Sequence, residues 1–271
     1  MSQFPHDEFV KEYLPEFLAD YGEVIPSADV SSERRQIDVL FKPAKPVPTS
    51  PETLGLLGKL AQTICLFEVY RNAVQPRHIR ACLSKLLDVQ EHQGKEAQKE
   101  ARNLDESQLA SLWIITPTIS ERILTLFKAN SSPNWESGIY FLGEGFYTGI
   151  VAIHQLPVNQ DTLWLRILGK GKVQLQAIEE FKNSSFNYPY RESILELIYG
   201  LLEKLEANRK KVNQIETQEE ELIMTLRTAF RDKLAETEQK GIQQGIQQGI
   251  QQGLQQGLQK GLQKGLQQGL Q

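Results

Sequence analysis

The first two hundred residues of this 271-residue chain predict an α/β fold with a mixed central sheet flanked by helices. The main observation is that helix-spaced apolar residues alternate with short β-prone runs. Residues 198–239 are charged and poor in aromatic side chains, and from Gly241 onward only Gly, Ile, Leu, Gln and Lys occur. We therefore predict a domain over residues 1–197, a charged amphipathic helix over 198–239, and a low-complexity tail over 240–271.

The elements of the first half of the domain follow from spacing and turn residues. Apolar residues from Phe9 to Leu18 recur at helical spacing, and Tyr21-Gly22 ends that helix. Residues 35–41 form a β-prone run before a proline-rich loop over 43–51, and residues 54–61 fit a short helix or turn. Residues 63–70 predict a buried strand, residues 79–89 a covering helix, and residues 91–107 a polar connection.

The second half continues the alternation. Strands are predicted over residues 110–116, 138–142 and 146–153, and helices over residues 120–129 and 173–182. The pattern of residues 162–171 fits either a helix or a strand. Its Gly169-Lys170-Gly171-Lys172 segment lacks the spacing of a phosphate-binding loop, so we expect no organic cofactor.

Composition limits the classes of partner. The net charge is −4, and the last 32 residues contribute three lysines and no acid, so any contact with DNA must come from local basic clusters. The chain has no apolar run of membrane-spanning length, which predicts no membrane partner. Cys65 and Cys82 stand in apolar surroundings and are expected to be reduced core thiols of a cytoplasmic protein.

Two acids interrupt apolar strand runs. Asp38 lies in QIDVLF and Glu68 in CLFEVYRN, where burial disfavours a charged carboxylate without a compensating cation or donor. On neighbouring strands they could hold a divalent ion between them, because hard cations prefer oxygen ligands. An edge or turn position, with each acid paired to a nearby arginine, fits the residues equally well.

Several short segments together carry a family resemblance: HDEFVKEYL, RRQIDVLF, LGLLGKLA, CLFEVYRNAV and the Gly-rich C-terminal repeats. In this order they resemble the PD-(D/E)xK nuclease superfamily, and more narrowly the cyanobacterial branch of the recombination-promoting nuclease (Rpn) and transposase family. The resemblance covers residues 5 to about 200. It implies a restriction-endonuclease-like core that cleaves DNA with Mg²⁺ or Mn²⁺.

The resemblance also implies roles for individual residues. Asp38 and Glu68 match the metal-binding acids of the motif, and Glu8 or Asp7 on the first helix would add a carboxylate. Tyr70 stands where the motif has lysine; it cannot supply a fixed positive charge, but as a catalytic candidate it could orient the attacking water or contact phosphate. Lys85, on the following helix, could replace that lysine in space.

Basic residues flank both acids. They could bind along a phosphate backbone, or they could be solvated charges that pair with nearby acids. The DNA-binding candidates are Arg34, Arg35, Arg71, Arg77 and Arg80.

The C-terminal part predicts assembly. A seven-residue apolar pattern between Ile198 and Lys233 fits a coiled-coil homo-oligomer, and it fits equally a helix that packs back on its own domain. The tail repeats Gly-Ile/Leu-Gln-Gln or Gly-Leu-Gln-Lys eight times, the last copy lacking its fourth residue, and its glycines disfavour a stable helix.

The sequence therefore leads to two functional hypotheses. The first is a metal-dependent DNA endonuclease, or a divergent relative linked to recombination or mobile elements. The second is a catalytically inactive nuclease-fold protein that acts as an oligomerising interaction module.

Overall fold

A computed structural model describes residues 5–29, 36–184, 188, 190–209 and 217–229, and the single positions 231, 235, 246 and 250. Arg34, Arg35 and most of the repeat tail lie outside these residues. The chain divides into two compact units, Met1–Ile223 and Met224–Gln271. In the second unit Ile246 and Ile250 are helical and exposed. The sheet and the candidate site belong to the first unit.

A six-stranded mixed sheet forms the centre of the first unit, in the order β1-β2-β3-β4-β6-β5. The first three strands are antiparallel, β3, β4 and β6 run parallel, and β5 pairs antiparallel with β6. The predicted α/β class with a mixed sheet is therefore confirmed. The strands are β1 Gly22–Asp29, β2 Gln36–Pro43, β3 Cys65–Val69, β4 Ser111–Thr116, β5 Ile139–Phe141 and β6 Thr148–Ala152.

Helices flank this sheet, as the sequence predicts. The ambiguous segment over residues 162–171 contains a short helix. The helices are α1 Pro5–Leu18, α2 Gly55–Leu60, α3 Pro76–Lys99, α4 Glu121–Phe127, α5 Leu163–Ile167, α6 Lys172–Asn183, α7 Arg191–Arg209 and α8 Thr217–Ala229.

The polar connection predicted over residues 91–107 is wrong in its first part, because α3 continues to Lys99. This extension has little apolar surface, but side-chain hydrogen bonds to Ala110 hold it in place. Gln90 donates to the Ala110 carbonyl at 2.8 Å, and the Gln93 side chain accepts from the Ala110 backbone at 2.9 Å. The exposed pair of Glu91 and Lys95 adds an i, i+4 contact that favours helix.

Strand β1 has no counterpart among the predicted strands. Pro26 and the neighbouring Ser27 interrupt its β pattern, and Ser27 adopts a left-handed backbone with φ of 55°. The strand forms because it pairs with β2 along nearly its whole length. Local β propensity does not indicate such a long-range interaction.

The two faces of the sheet bury different residues. On one face, Leu66 and Ile114 share a core cluster with Ile79, Cys82 and Leu86 of α3. On the other face an aromatic cluster joins α1 to α5 and α6. Its members are Phe9, Tyr13, Phe17, Trp164, Phe181 and Tyr188.

Helix α7 crosses the predicted boundary at residue 197 and packs against α1. Its apolar side chains, including Leu201 and Leu205, are buried, and Lys204 forms ion pairs with Glu8 and Glu12 at 3.3 Å. The first half of the predicted stalk therefore packs on its own domain. Residues 210–216 lie outside the described part, so a continuous helix to residue 239 stays a prediction.

Candidate active site

Strand pairing brings the two predicted acids together. Val39 of β2 lies opposite Phe67 of β3, and one more residue along this antiparallel register places Asp38 opposite Glu68. Opposite residues of an antiparallel pair share a face of the sheet. The backbone N–H of Val69 donates to Asp38 Oδ2 at 2.9 Å, which fixes that carboxylate at the end of the strand.

Lys85 of α3 completes the cluster. Its Nζ lies 2.7 Å from Glu68 Oε1, and the two side chains are 15% and 4% exposed. Lys85 follows Cys82 by three residues and directly precedes Leu86, both buried against the sheet. This spacing turns Lys85 toward the strands. The structure thus brings a lysine to the predicted acids from the helix rather than from β3.

The carboxylates of Asp38 and Glu68 are held in an environment that disfavours negative charge. Burial, followed by the charge of Asp38, raises the pKa of Glu68 to about 7, against the charge and hydrogen bond of Lys85. Burial also raises the pKa of Asp38, whereas the Val69 N–H and the charge of Lys85 lower it. The charge of Asp38 contributes to the raised pKa of Glu68, and a cation bound between the two carboxylates would offset this repulsion.

Tyr70, which the family resemblance aligns with the motif lysine, lies on the same side of β3 as Glu68 but has other partners. Its hydroxyl is 3.1 Å from Cys82 Sγ, and its ring stacks on His78 with 5.0 Å between centroids. Burial is the main cause that raises the pKa of Tyr70 far above its usual range and that of Cys82 to about 12. Both groups are protonated at neutral pH, so neither adds charge to the site.

Helix α1 contributes Asp7 rather than Glu8 to the electrostatics of the site. The charge of Asp7 raises the pKa of Asp38, whereas Glu8 pairs with Lys204 of α7. Lys11 lies one helical turn after Asp7, and its charge lowers the pKa of both Asp38 and Glu68. The sequence interpretation overlooked Lys11, although the i, i+4 spacing of Asp7 and Lys11 on an amphipathic helix was a usable signal.

The described arginine candidates have separate contacts. Arg71 donates to the Gly169 carbonyl at 2.7 Å and to the Gln174 side chain at 3.0 Å. Arg77 and Arg80 are exposed on α3, where Arg77 contacts His78 and Arg80 lies over the Phe127 ring. A basic surface at the start of α3 is therefore present, and its contact with DNA stays a prediction.

A second residue that the sequence interpretation overlooked is Ser27. The register of β1 and β2 places it opposite Asp38, and its left-handed φ of 55° distorts the strand there. Such a backbone costs energy for a residue with a side chain, and strain of this kind is common at functional sites. No local sequence signal indicates it.

Among the described residues, no three or more His, Cys, Asp or Glu side chains form a group that could hold a metal ion. Asp38 and Glu68 together offer two carboxylates. Within the described part, no helix is long and apolar enough to span a membrane. Comparisons of the chain with protein-family models, curated protein sequences and solved structures found no match.

Proposed function

We propose that this protein is a metal-dependent DNA endonuclease with a restriction-endonuclease-like core, related to the Rpn branch of the PD-(D/E)xK superfamily. The single observation that carries the proposal is the meeting of Asp38, Glu68 and Lys85 at one site. The order of a leading helix, an Asp strand, a Glu strand and a covering helix supports it. The protein would act in the cytoplasm.

The donor set is compatible with Mg²⁺ or Mn²⁺. Val69 uses one oxygen of Asp38 and Lys85 uses one oxygen of Glu68, which leaves one oxygen of each carboxylate without a hydrogen bond among the described residues. Two carboxylates fit Mg²⁺, which usually keeps several waters and binds substrate phosphate as well. When bound, the ion would neutralise phosphate charge and lower the pKa of a coordinated water.

Each residue of the cluster has a distinct role in this proposal. Asp38 and Glu68 would hold the ion, and the Val69 N–H orients Asp38. Lys85 supplies the positive charge that Tyr70 cannot, and its ammonium donates toward the attacking water or the phosphate. Tyr70, which is hydrogen-bonded to Cys82, has a structural role beside the acid cluster.

Cleavage of supercoiled plasmid in Mg²⁺ or Mn²⁺ tests this proposal. We expect the wild type to nick the plasmid, and Asp38→Asn, Glu68→Gln and Lys85→Met to reduce the rate about a hundredfold or more. Lys95→Met is the matched control, because Lys95 forms an exposed ion pair on the same helix. Intact plasmid in both metals, or equal nicking by all variants, would contradict the proposal.

Calorimetric titration with Mn²⁺ separates metal binding from turnover. The wild type should bind Mn²⁺, and Asp38→Asn should weaken that binding. Binding without nicking would indicate a retained site that no longer cleaves DNA.

A catalytically inactive interaction module is the second candidate. The observation that favours it is Tyr70, which replaces the motif lysine and is engaged with Cys82 and His78. In this case the C-terminal segments would assemble several copies of the chain. Nicking of plasmid by the wild type, or sedimentation of the full chain as a monomer, would contradict this second candidate.

A further inference from the structure

An open cleft of about 590 Å³ lies away from the candidate active site. Trp113 of β4 lies in its lining and immediately precedes Ile114, the register partner of Glu68. Because successive strand residues point to opposite faces, the Trp113 side chain lies on the sheet face opposite to Glu68. The cleft is therefore a separate feature from the acid cluster.

The floor of the cleft is built around Gly149. Gly149 lies between Trp113 and Phe141 in a row across three strands. A Cβ atom at this position would come within 2.0 Å of the Trp113 ring, so only glycine allows the indole to lie this close to the β6 backbone. The indole N–H donates to the Leu60 carbonyl at 2.8 Å and fixes the ring.

Trp135 forms a third aromatic wall. Its ring centroid lies 5.5 Å from that of Trp113 and 5.2 Å from that of Phe141. The Lys59 ammonium lies over the Trp135 ring at 4.1 Å and also donates to the Asn134 carbonyl at 2.7 Å. These contacts hold the loop of Trp135 beside the strands.

Polar groups at the edge of the cleft restrict the kind of ligand that it can bind. Ser131 and Ser132 add hydroxyls, and Glu144 adds an exposed carboxylate. The Asn130 amide nitrogen donates to the Lys128 carbonyl, which leaves the amide oxygen as an acceptor for a ligand. The described lining contains no lysine or arginine, and the nearby Lys59 ammonium is engaged with the Trp135 ring and the Asn134 carbonyl, so the lining favours a neutral ligand.

We propose that this cleft binds the flat heteroaromatic ring of a nucleobase, as presented by a nucleoside. The cleft has the size of a small-molecule site, and aromatic walls with a few polar groups suit a planar ring that carries hydrogen-bond donors. Its three rings pack against one another at 43°, 62° and 75°, so a planar ligand would stack on the partly exposed rings of Trp135 and Phe141 rather than between rings. A sugar would instead favour a single flat aromatic platform. The proposal does not rest on nuclease activity.

Calorimetric titration of the full-length protein with adenosine and cytidine, without metal, tests the inference. For a ligand of nucleoside size we expect a Kd on the order of 0.1 mM. Tryptophan fluorescence should change in parallel, because Trp113 and Trp135 line the cleft. A sugar such as cellotriose is the comparison ligand and should not bind.

Trp135→Leu should weaken nucleoside binding about tenfold or more, while Trp135→Phe should largely retain it, because only phenylalanine keeps a stacking face. Phe146→Ala is the control, since Phe146 is 52% exposed and does not line the cleft. Circular dichroism checks that each variant is folded. Absent nucleoside binding, binding of the sugar instead, or unchanged affinity in Trp135→Leu would each overturn the inference.

Discussion

The chain buries charged groups on one face of the sheet. Near the edge of the other face it forms an open aromatic cleft. The acid cluster of Asp38, Glu68 and Lys85 costs desolvation energy, which its ion pair and hydrogen bond only partly offset. The aromatic cleft leaves the rings of Trp135 and Phe141 partly exposed to water, where burial would stabilise the fold more. Both departures from the most stable arrangement are typical of functional sites.

The two regions also differ in what holds them. The acid cluster depends on electrostatic partners that lie far apart in sequence, so its stability should vary with pH. The cleft depends on steric fit between Gly149 and Trp113, so its stability should be insensitive to pH. This difference can be measured.

The largest expected effect comes from Lys85→Met. It leaves the Glu68 carboxylate buried without its cation, and we expect a loss of about 3 kcal/mol in the free energy of unfolding at pH 8. At pH 6 the loss should be smaller, because Glu68 can take up a proton. Urea unfolding measures both values.

Lys95→Met is the control for this prediction, because Lys95 is exposed and paired only with exposed Glu91. We expect it to change stability by less than about 0.5 kcal/mol at either pH. Equal losses in the two lysine variants would show that the acid cluster is no more sensitive than the helix surface.

The second prediction concerns the pH dependence of stability. The pKa of Glu68 is about 7 in the folded protein and about 4.5 in the unfolded chain, so the folded state binds this proton more tightly. Stability should therefore fall as pH rises from about 4.5 to about 7, by about 3 kcal/mol, and then level off.

Glu68→Gln removes this titration and should flatten the profile over the same pH range. The difference between the wild-type and Glu68→Gln profiles, measured by urea unfolding at each pH, isolates Glu68 from other titrating groups. Parallel profiles would mean that Glu68 does not carry the pH dependence.

Much of the acid cluster could be predicted from sequence because its signals are local. An acid within an apolar strand is visible at Asp38 and at Glu68, and Lys85 interrupts the apolar spacing of Cys82, Leu86 and Val89 on one helix. The position of Lys85 against Glu68 follows from that spacing once the helix covers the strand. The number of carboxylates at the site could not be predicted from the sequence, because Glu8 turns toward α7 and pairs with Lys204.

The features that the sequence did not predict depend on contacts between segments that are distant in the chain. Strand β1 exists through its pairing with β2, and the cleft exists because Trp113, Phe141 and Gly149 meet across three strands. Trp135 lies in the loop before β5, and nothing in the local sequence indicates that it contacts Trp113 and Phe141. Sequence patterns report which residues share one element, but they do not report which elements become neighbours.

Gly149→Ala tests the steric side of the comparison. The added methyl group would meet the Trp113 ring, so we expect a loss of about 2 kcal/mol that is the same at pH 6 and pH 8. Near-ultraviolet circular dichroism should show the displaced tryptophan. Gly145→Ala is the matched control, because nothing lies within 4 Å of a Cβ there, and its stability should change by less than about 0.5 kcal/mol.

The smallest expected effect distinguishes strain that belongs to the acid cluster from strain elsewhere. Ser27 lies opposite Asp38 with φ of 55°, and Lys128 ends α4 with φ of 49°. Glycine adopts this backbone freely, so Ser27→Gly and Lys128→Gly should each stabilise the fold by up to about 1 kcal/mol. Glycine also permits an undistorted strand, so if the distortion of β1 positions Asp38, Ser27→Gly should in addition lower Mn²⁺ affinity, whereas Lys128→Gly should leave it unchanged. Equal Mn²⁺ affinity in both variants would make the backbone of Ser27 a local cost without a role at the site.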